Sequence, residues 1–169
     1  MGFLDESSPQ TTAYTVRLWS FYKPEIIKDT SKYRANIFGF YSINGKSPVD
    51  FQDHSRKENV VSFLKKIREQ TPRKKIIIIP DNLKAHHSNI VMETALPLNR
   101  RLIFLPTYSQ DLNPIEFIWK SIRRVISTTF MDSEEKLRGK IEESFLELSS
   151  RLTFSKTWTR KFLDKSIIV

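Results

Sequence analysis

Three acidic residues stand where their type and surroundings could support chemistry: Asp5, Asp81 and Glu116. Asp5 ends the short apolar run Phe3-Leu4, and Asp81 directly follows the run KIIIIP at 75–80. A carboxylate at the end of a strand has its backbone fixed by the sheet while its side chain faces the crevice where α/β proteins bind ligands. Taken singly, each Asp reads more readily as polar punctuation after a strand, or as a helix cap. Glu116 also has a local explanation. Asn113 as N-cap, Pro114 at the first helical position and Glu116 just after it make an ordinary helix start, where an acid favours the helix dipole. Taken together, the three could do something none does alone. Magnesium is a hard cation that prefers oxygen ligands. Two such ions roughly 3.5–4 Å apart stabilise the attacking and leaving oxygens of a phosphoryl displacement.

Such a trio needs strands under both Asp residues and a helix under the Glu. Residues 35–43 are aromatic and β-branched, and Asn44-Gly45 follows them, so 35–43 and 46–52 are expected to pair as an antiparallel hairpin. The Tyr14–Phe21 run has strand character, with loop expected from Pro24 onward. Ser55 to Gln70 reads as a helix with Ser55 and Glu58 as its capping box, stopped at Thr71-Pro72. Residues 75–80 form a buried strand, 84–96 a helix, and 101–105 a further strand. A helix from Pro114 to about Thr129 buries Ile115, Ile118, Trp119, Ile122, Val125 and Ile126 on one face. Glu116, Lys120, Arg123 and Ser127 take the opposite face. A last helix spans about 133–149, with Asp132 and Glu135 as its cap pair, and the tail carrying Trp158 and Phe162 is expected to pack on the body. The fold class is α/β, one domain with a mixed sheet covered by helices.

Composition narrows the chemistry. The chain has 169 residues and a formal charge of +9, which points to a polyanionic partner, nucleic acid or an acidic membrane, or simply to a well-solvated surface. It has no cysteine, which removes disulfides, thiolate zinc sites and a cysteine nucleophile. Its four glycines cannot build a glycine-rich phosphate loop. The absence of a membrane-length apolar stretch or a signal-like start leads us to expect an intracellular, soluble protein.

The segments LDESS (4–8), IIIIPDNLKAHHS (76–88) and FLPTYSQDLNPIEFIWKSIRR (104–124) resemble the three signature blocks of DDE transposases, in particular those of the IS630 and Tc1/mariner superfamily. Asp81, Asn82 and His86 match the second block. Leu105, Pro106, Tyr108, Ser109 and Leu112 through Glu116 match the third, with Gln110 where Pro is common. The 34 residues between Asp81 and Glu116 fit the interval of this group. The resemblance implies an RNase H-like fold with a mixed five-stranded sheet flanked by helices. It implies DNA strand cleavage and strand transfer with two divalent ions, Mg2+ or Mn2+, held by Asp5, Asp81 and Glu116. By the same resemblance Asn82, His86 and Asn113 line or brace the site, and Lys120, Arg123 and Arg124 track DNA. The implied partners are transposon ends and target DNA, not a membrane, with a homodimer as the expected assembly and a location with DNA inside the cell. Family members usually carry an upstream helix-turn-helix region. The start at Met1, four residues before Asp5, leads us to expect that region to be absent.

Overall fold

Side chains alternate across the first strand, and that alternation organises the molecule. Strand β1 (Gly2–Ser7) sends Phe3 into one apolar core and Leu4 into another on the opposite face of the sheet. It is the central strand of five, in the order β3-β2-β1-β4-β5. Strands β2 (Ile37–Ser42) and β3 (Val49–Phe51) run antiparallel on one side of it, and β4 (Ile76–Pro80) and β5 (Arg100–Leu102) run parallel on the other. The sheet is mixed and five-stranded, as expected. This computed structural model describes residues 1–12, 21–23, 25, 27, 28, 30–72, 75–98 and 100–163. Residues 14–20 of the Tyr14–Phe21 run lie outside the described residues.

Helix α1 (Lys57–Gln70) and helix α2 (Asn89–Ala95) cover one face through Val60, Phe63, Leu64, Ile67, Val91 and Ala95, packed on Leu4, Phe38, Phe40 and Ile78. Helices α3 (Ile115–Thr128) and α4 (Glu134–Ser150) cover the other, where Trp119, Ile122, Leu137, Ile141 and Phe145 meet Phe3, Tyr41 and Ile79. Fully burying side chains of this size contributes about 1.5–3 kcal/mol each. Helix α5 (Thr153–Phe162) follows and docks by its tryptophan: Trp158 meets the Phe3 ring edge-on at 4.9 Å, and its indole N–H donates to the Leu112 carbonyl at 2.8 Å. Among the described residues no helix is long and apolar enough to cross a membrane.

Several boundaries differ from the sequence expectation. Asn44-Gly45 is not a two-residue hairpin turn. Pairing ends at Gly39 opposite Val49, and Ser47 Oγ accepts from the Ser42 N–H at 3.0 Å inside a wider connection. Gly45 does not take the positive φ that a tight primed turn demands. Helix α1 starts one residue later than a Ser55 cap would give; Asn59, not Glu58, accepts from the backbone at the helix start, from Arg56 N–H at 3.3 Å. Ser133, not Asp132, caps α4 by accepting from Lys136 N–H at 3.2 Å, while Asp132 pairs with the Lys136 ammonium at 3.1 Å. The helix expected over 84–96 is split. A 3-10 turn at Lys84–His87 precedes α2, and the extended Ser88 separates them. Strand β5 is short, although Ile103 and Leu105 still donate to Ile78 and Pro80 of β4. Ser127 is fully buried rather than solvent-facing, with its hydroxyl donating back to the Arg124 carbonyl at 2.6 Å.

Candidate active site

The parallel ladder sets two acids side by side. Leu4 pairs with Pro80, so the next step brings Asp5 beside Asp81. Asp81 lies just past the end of β4, as expected. Asp5 does not end its strand: β1 continues two residues beyond it, and Asp5 sits opposite Gly39 of β2. The third acid arrives on the first turn of α3, whose N-cap is Pro114 rather than the expected Asn113; Asn113 Oδ1 still accepts from Ile115 N–H at 3.3 Å, where the helix begins one residue before Glu116. A cavity of about 490 Å³ collects Asp5, Asp81 and Glu116 in its lining, together with Glu6, Asn82, Asn113 and Arg123.

Each acid has a different environment. Asp5 is only 6% exposed. Burial raises its pKa, the charges of Glu116 and Asp81 raise it further, and it is pushed up to about 8. Hydrogen bonds from the Glu6 backbone and the Trp119 indole oppose that rise; the indole N–H donates to Asp5 Oδ2 at 2.9 Å. Gly39 makes this bond possible. A Cβ there would lie 2.7 Å from the Trp119 ring and 2.8 Å from Phe145. Glu116 is also raised, first by burial and then by Asp81, with Arg123 acting against the rise. Arg123 in turn donates to Ser7 Oγ at 3.4 Å.

Asp81 is tied down by a buried histidine. His86 Nε2 donates to Glu6 Oε1 at 3.1 Å. Its Nδ1 stands 2.7 Å from Asp81 Oδ1 and donates to the Asp81 carbonyl at 3.3 Å. One N–H cannot be directed at two acceptors, and Asp81 Oδ1 stays buried without a well-directed hydrogen bond. Burial works against charge on His86, but bonding to Asp81 and Glu6 outweighs it and lifts the imidazolium pKa to about 10. The split of the 84–96 helix matters here, because the 3-10 turn brings His86 beneath the strand ends. His87 is exposed, stacks on Phe104 with ring centres 3.9 Å apart, and contacts the Asn82 carboxamide.

Lys120 and Arg124 are exposed on α3 outside the cavity lining, while Arg123 lies within it. Sequence reasoning left Glu6 and Trp119 without a role. No local pattern signalled Glu6, whose partner His86 is 80 residues away along the chain. Trp119 read only as a core residue, yet a buried indole N–H needs an acceptor. Tyr108 was matched but given no task. It is fully exposed on the cavity rim with φ of 58°, a conformation that costs an L-residue roughly 1–2 kcal/mol.

The donor set suits a hard divalent cation. It is all oxygen, it is mutually repelling, and one buried carboxylate oxygen lacks a directed partner. Among the described residues, no three His, Asp or Glu side chains already stand close enough to hold an ion.

A family model described as DDE superfamily endonuclease matches residues 1–138. No curated protein matches the sequence. Among solved structures, the chain superposes on the Mos1 transposase paired-end complex with the left transposon end at a TM-score of 0.65 and 16% identity, over 94% of this chain and 53% of that one. The Mos1 mariner paired end complex with Mn gives 0.63 and 16%, again over 94% and 53%. The catalytic domain of Mos1 mariner transposase gives 0.56 and 13%, over 94% of this chain and 79% of that one. The chain thus spans about half the length of the longer Mos1 chains. The likeness establishes the fold, which is RNase H-like. With most of its length matched by the family model, the chain belongs to the DDE superfamily of endonucleases.

Proposed function

We propose that this chain is the catalytic domain of a DNA transposase of the Tc1/mariner kind, with Asp5, Asp81 and Glu116 as its ligands for two divalent ions, Mg2+ or Mn2+. The observation that carries this reading is the meeting of three acids, distant in sequence, in one cavity where two of them raise the pKa of the third. When bound, the ions would polarise the scissile phosphate and stabilise the attacking and leaving oxygens. Asp5 supplies the fixed carboxylate. Asp81 is held by His86, whose Nδ1 stands 2.7 Å from its carboxylate; Glu6 fixes the far side of the imidazole. Asn113 sets the start of α3 and with it the height of Glu116 over the strand ends. Asn82 lines the cavity, and Arg123 is placed to meet a phosphate entering it. The exposed Lys120 and Arg124 continue that positive face for the DNA backbone. The net charge of +9 supports a nucleic-acid partner.

The substrates in this reading are transposon ends and then target DNA, handled by a homodimer on paired ends, with residues 1–169 as a single catalytic domain working wherever the DNA is. The test is nicking and strand transfer with a labelled DNA end in Mn2+ or Mg2+. Wild-type protein gives both products, and Asp81→Asn lowers the nicking rate by roughly a thousandfold or more, about 4 kcal/mol of lost transition-state stabilisation. Nicking that survives Asp81→Asn removes that residue from the ligand set. Nicking without joined product makes the chain a hydrolytic nuclease of the same fold.

A further inference from the structure

The segment from Gln110 to Phe117 lines two cavities, not one. Gln110, Asn113 and Glu116 face the acidic cavity, while Asp111, Pro114 and Phe117 face a second cavity of about 280 Å³ closed on its far side by α5. The second cavity is walled by aromatic rings. Phe117 lies parallel to Phe154 with centres 5.7 Å apart, and Trp158 lies against Phe162 at 5.4 Å. Lys161, whose Nζ stands 4.9 Å from the Phe162 ring centre, also lines this cavity, together with a single acid, Asp111. Phe117 is half exposed, an unusual state for a large ring on a helix whose neighbours are buried. Helix α5 itself carries Lys156, Arg160 and Lys161 and no acid.

Rings open to solvent beside positive charge, one residue along the chain from a candidate metal ligand, suit one kind of occupant. We propose that this cavity takes an unpaired base of the DNA strand held in the acidic cavity, stacked against Phe117, with Lys161 on the neighbouring phosphate. Every base has a face that stacks on an aromatic ring, and stacking of this kind is tolerant of sequence. The ammonium adds attraction to both ring and phosphate. Trp158 links the cavity to the active site, since its indole N–H holds the Leu112 carbonyl between the two linings. The family match ends at residue 138, so the α5 wall lies beyond the matched segment. The proposal rests on the DNA-cleaving reading given above, and its experiment separates the two.

The probe is a single-stranded oligonucleotide carrying 2-aminopurine at its 3′ end, mixed with the full chain without divalent ions so that nothing is cut. Stacking quenches the probe. Phe117→Ala removes the wall, and Thr157→Phe fills the cavity from an exposed position; each weakens single-strand binding roughly tenfold and abolishes the quench. Binding of the same sequence as a blunt duplex changes less than about twofold, because a paired base cannot enter. Lys161→Ala lowers the salt dependence of single-strand binding by about 0.7 in log–log slope. Unchanged single-strand affinity in both Phe117→Ala and Thr157→Phe overturns the proposal. So does an equal loss on duplex, or a change in sedimentation with unchanged DNA affinity, which would assign the cavity to contact between copies. A quench that responds to these variants in a chain unable to nick DNA leaves the stacking site standing and sinks the transposase reading. Nicking with a quench indifferent to them does the reverse.

Discussion

Asp5 concentrates the physics of the site at the scale of one residue. It is buried and faces two other acids, so its proton is held up to about pH 8 against an ordinary value of 3.8. The unfolded chain loses that proton near pH 4, whereas the folded chain keeps it. Between those limits the folded state binds more protons, and stability falls as pH rises. His86 adds to the same trend at higher pH: its contribution is complete below its ordinary 6.5 and is lost as pH rises through about 10. Urea midpoints of the metal-free chain should therefore fall from pH 5 to pH 9. Asp5→Asn should flatten the part between pH 4 and about 6.5, leave above it the fall due to His86, and abolish stabilisation by Mn2+. Trp119→Phe keeps the ring and removes the donor to Asp5 Oδ2. With Asp5 as a proposed ligand that this bond would orient, Mn2+ affinity measured by calorimetry should drop roughly tenfold or more. The acids themselves were legible in the sequence through the motif that carries them. Their neighbours were not, because a hydrogen bond between residues 5 and 119 joins a strand and a helix that no local pattern relates.

Elements determine how close these residues come. Gly39 is a point of close approach at the site, with both Trp119 and Phe145 inside the space of a methyl group. Gly39→Ala should destabilise the chain by about 1–3 kcal/mol in chemical denaturation, the range for overpacking, and should also weaken Mn2+ binding because Trp119 is displaced from Asp5. The stripe of α3 was readable because burial on one face repeats with the helical period, and Ile115, Ile118, Trp119, Ile122 and Ile126 are buried as that stripe requires. Ser127 escaped the pattern because a small hydroxyl can satisfy itself on its own helix and then be covered. The break at Ser88 escaped it too. Helix-forming residues flank both sides, and the 3-10 turn before it carries His86 with its contacts to Glu6 and Asp81, distant or non-periodic partners that no local pattern shows. Asn44-Gly45 signalled a tight turn, but Ser47 occupies the Ser42 N–H and leaves a wider connection.

At the scale of the whole molecule, two cores on opposite faces of one sheet hold the strand ends in place. The α/β class and the covering helices followed from the order of apolar runs, and the five-stranded sheet from the family resemblance. The docking of the tail was legible only as an expectation, from Trp158 and Phe162 in an otherwise polar stretch. The structure seats Trp158 against Phe3 and the Leu112 carbonyl. Trp158→Ala should cost roughly 2–3 kcal/mol, below the range for a fully buried tryptophan, and protease should then cut first within α5. Of the three acids, Asp5 alone lies within a paired strand, opposite Gly39 of β2 and one residue past the last β4 pair at Leu4, whereas Asp81 opens a loop and Glu116 opens a helix. The active centre is thus built like a vice with one stationary jaw. In the proposed reaction any adjustment of the three carboxylates would come from Asp81 and Glu116, at the start of a loop and of a helix, while Asp5 on the central strand would keep the reference position.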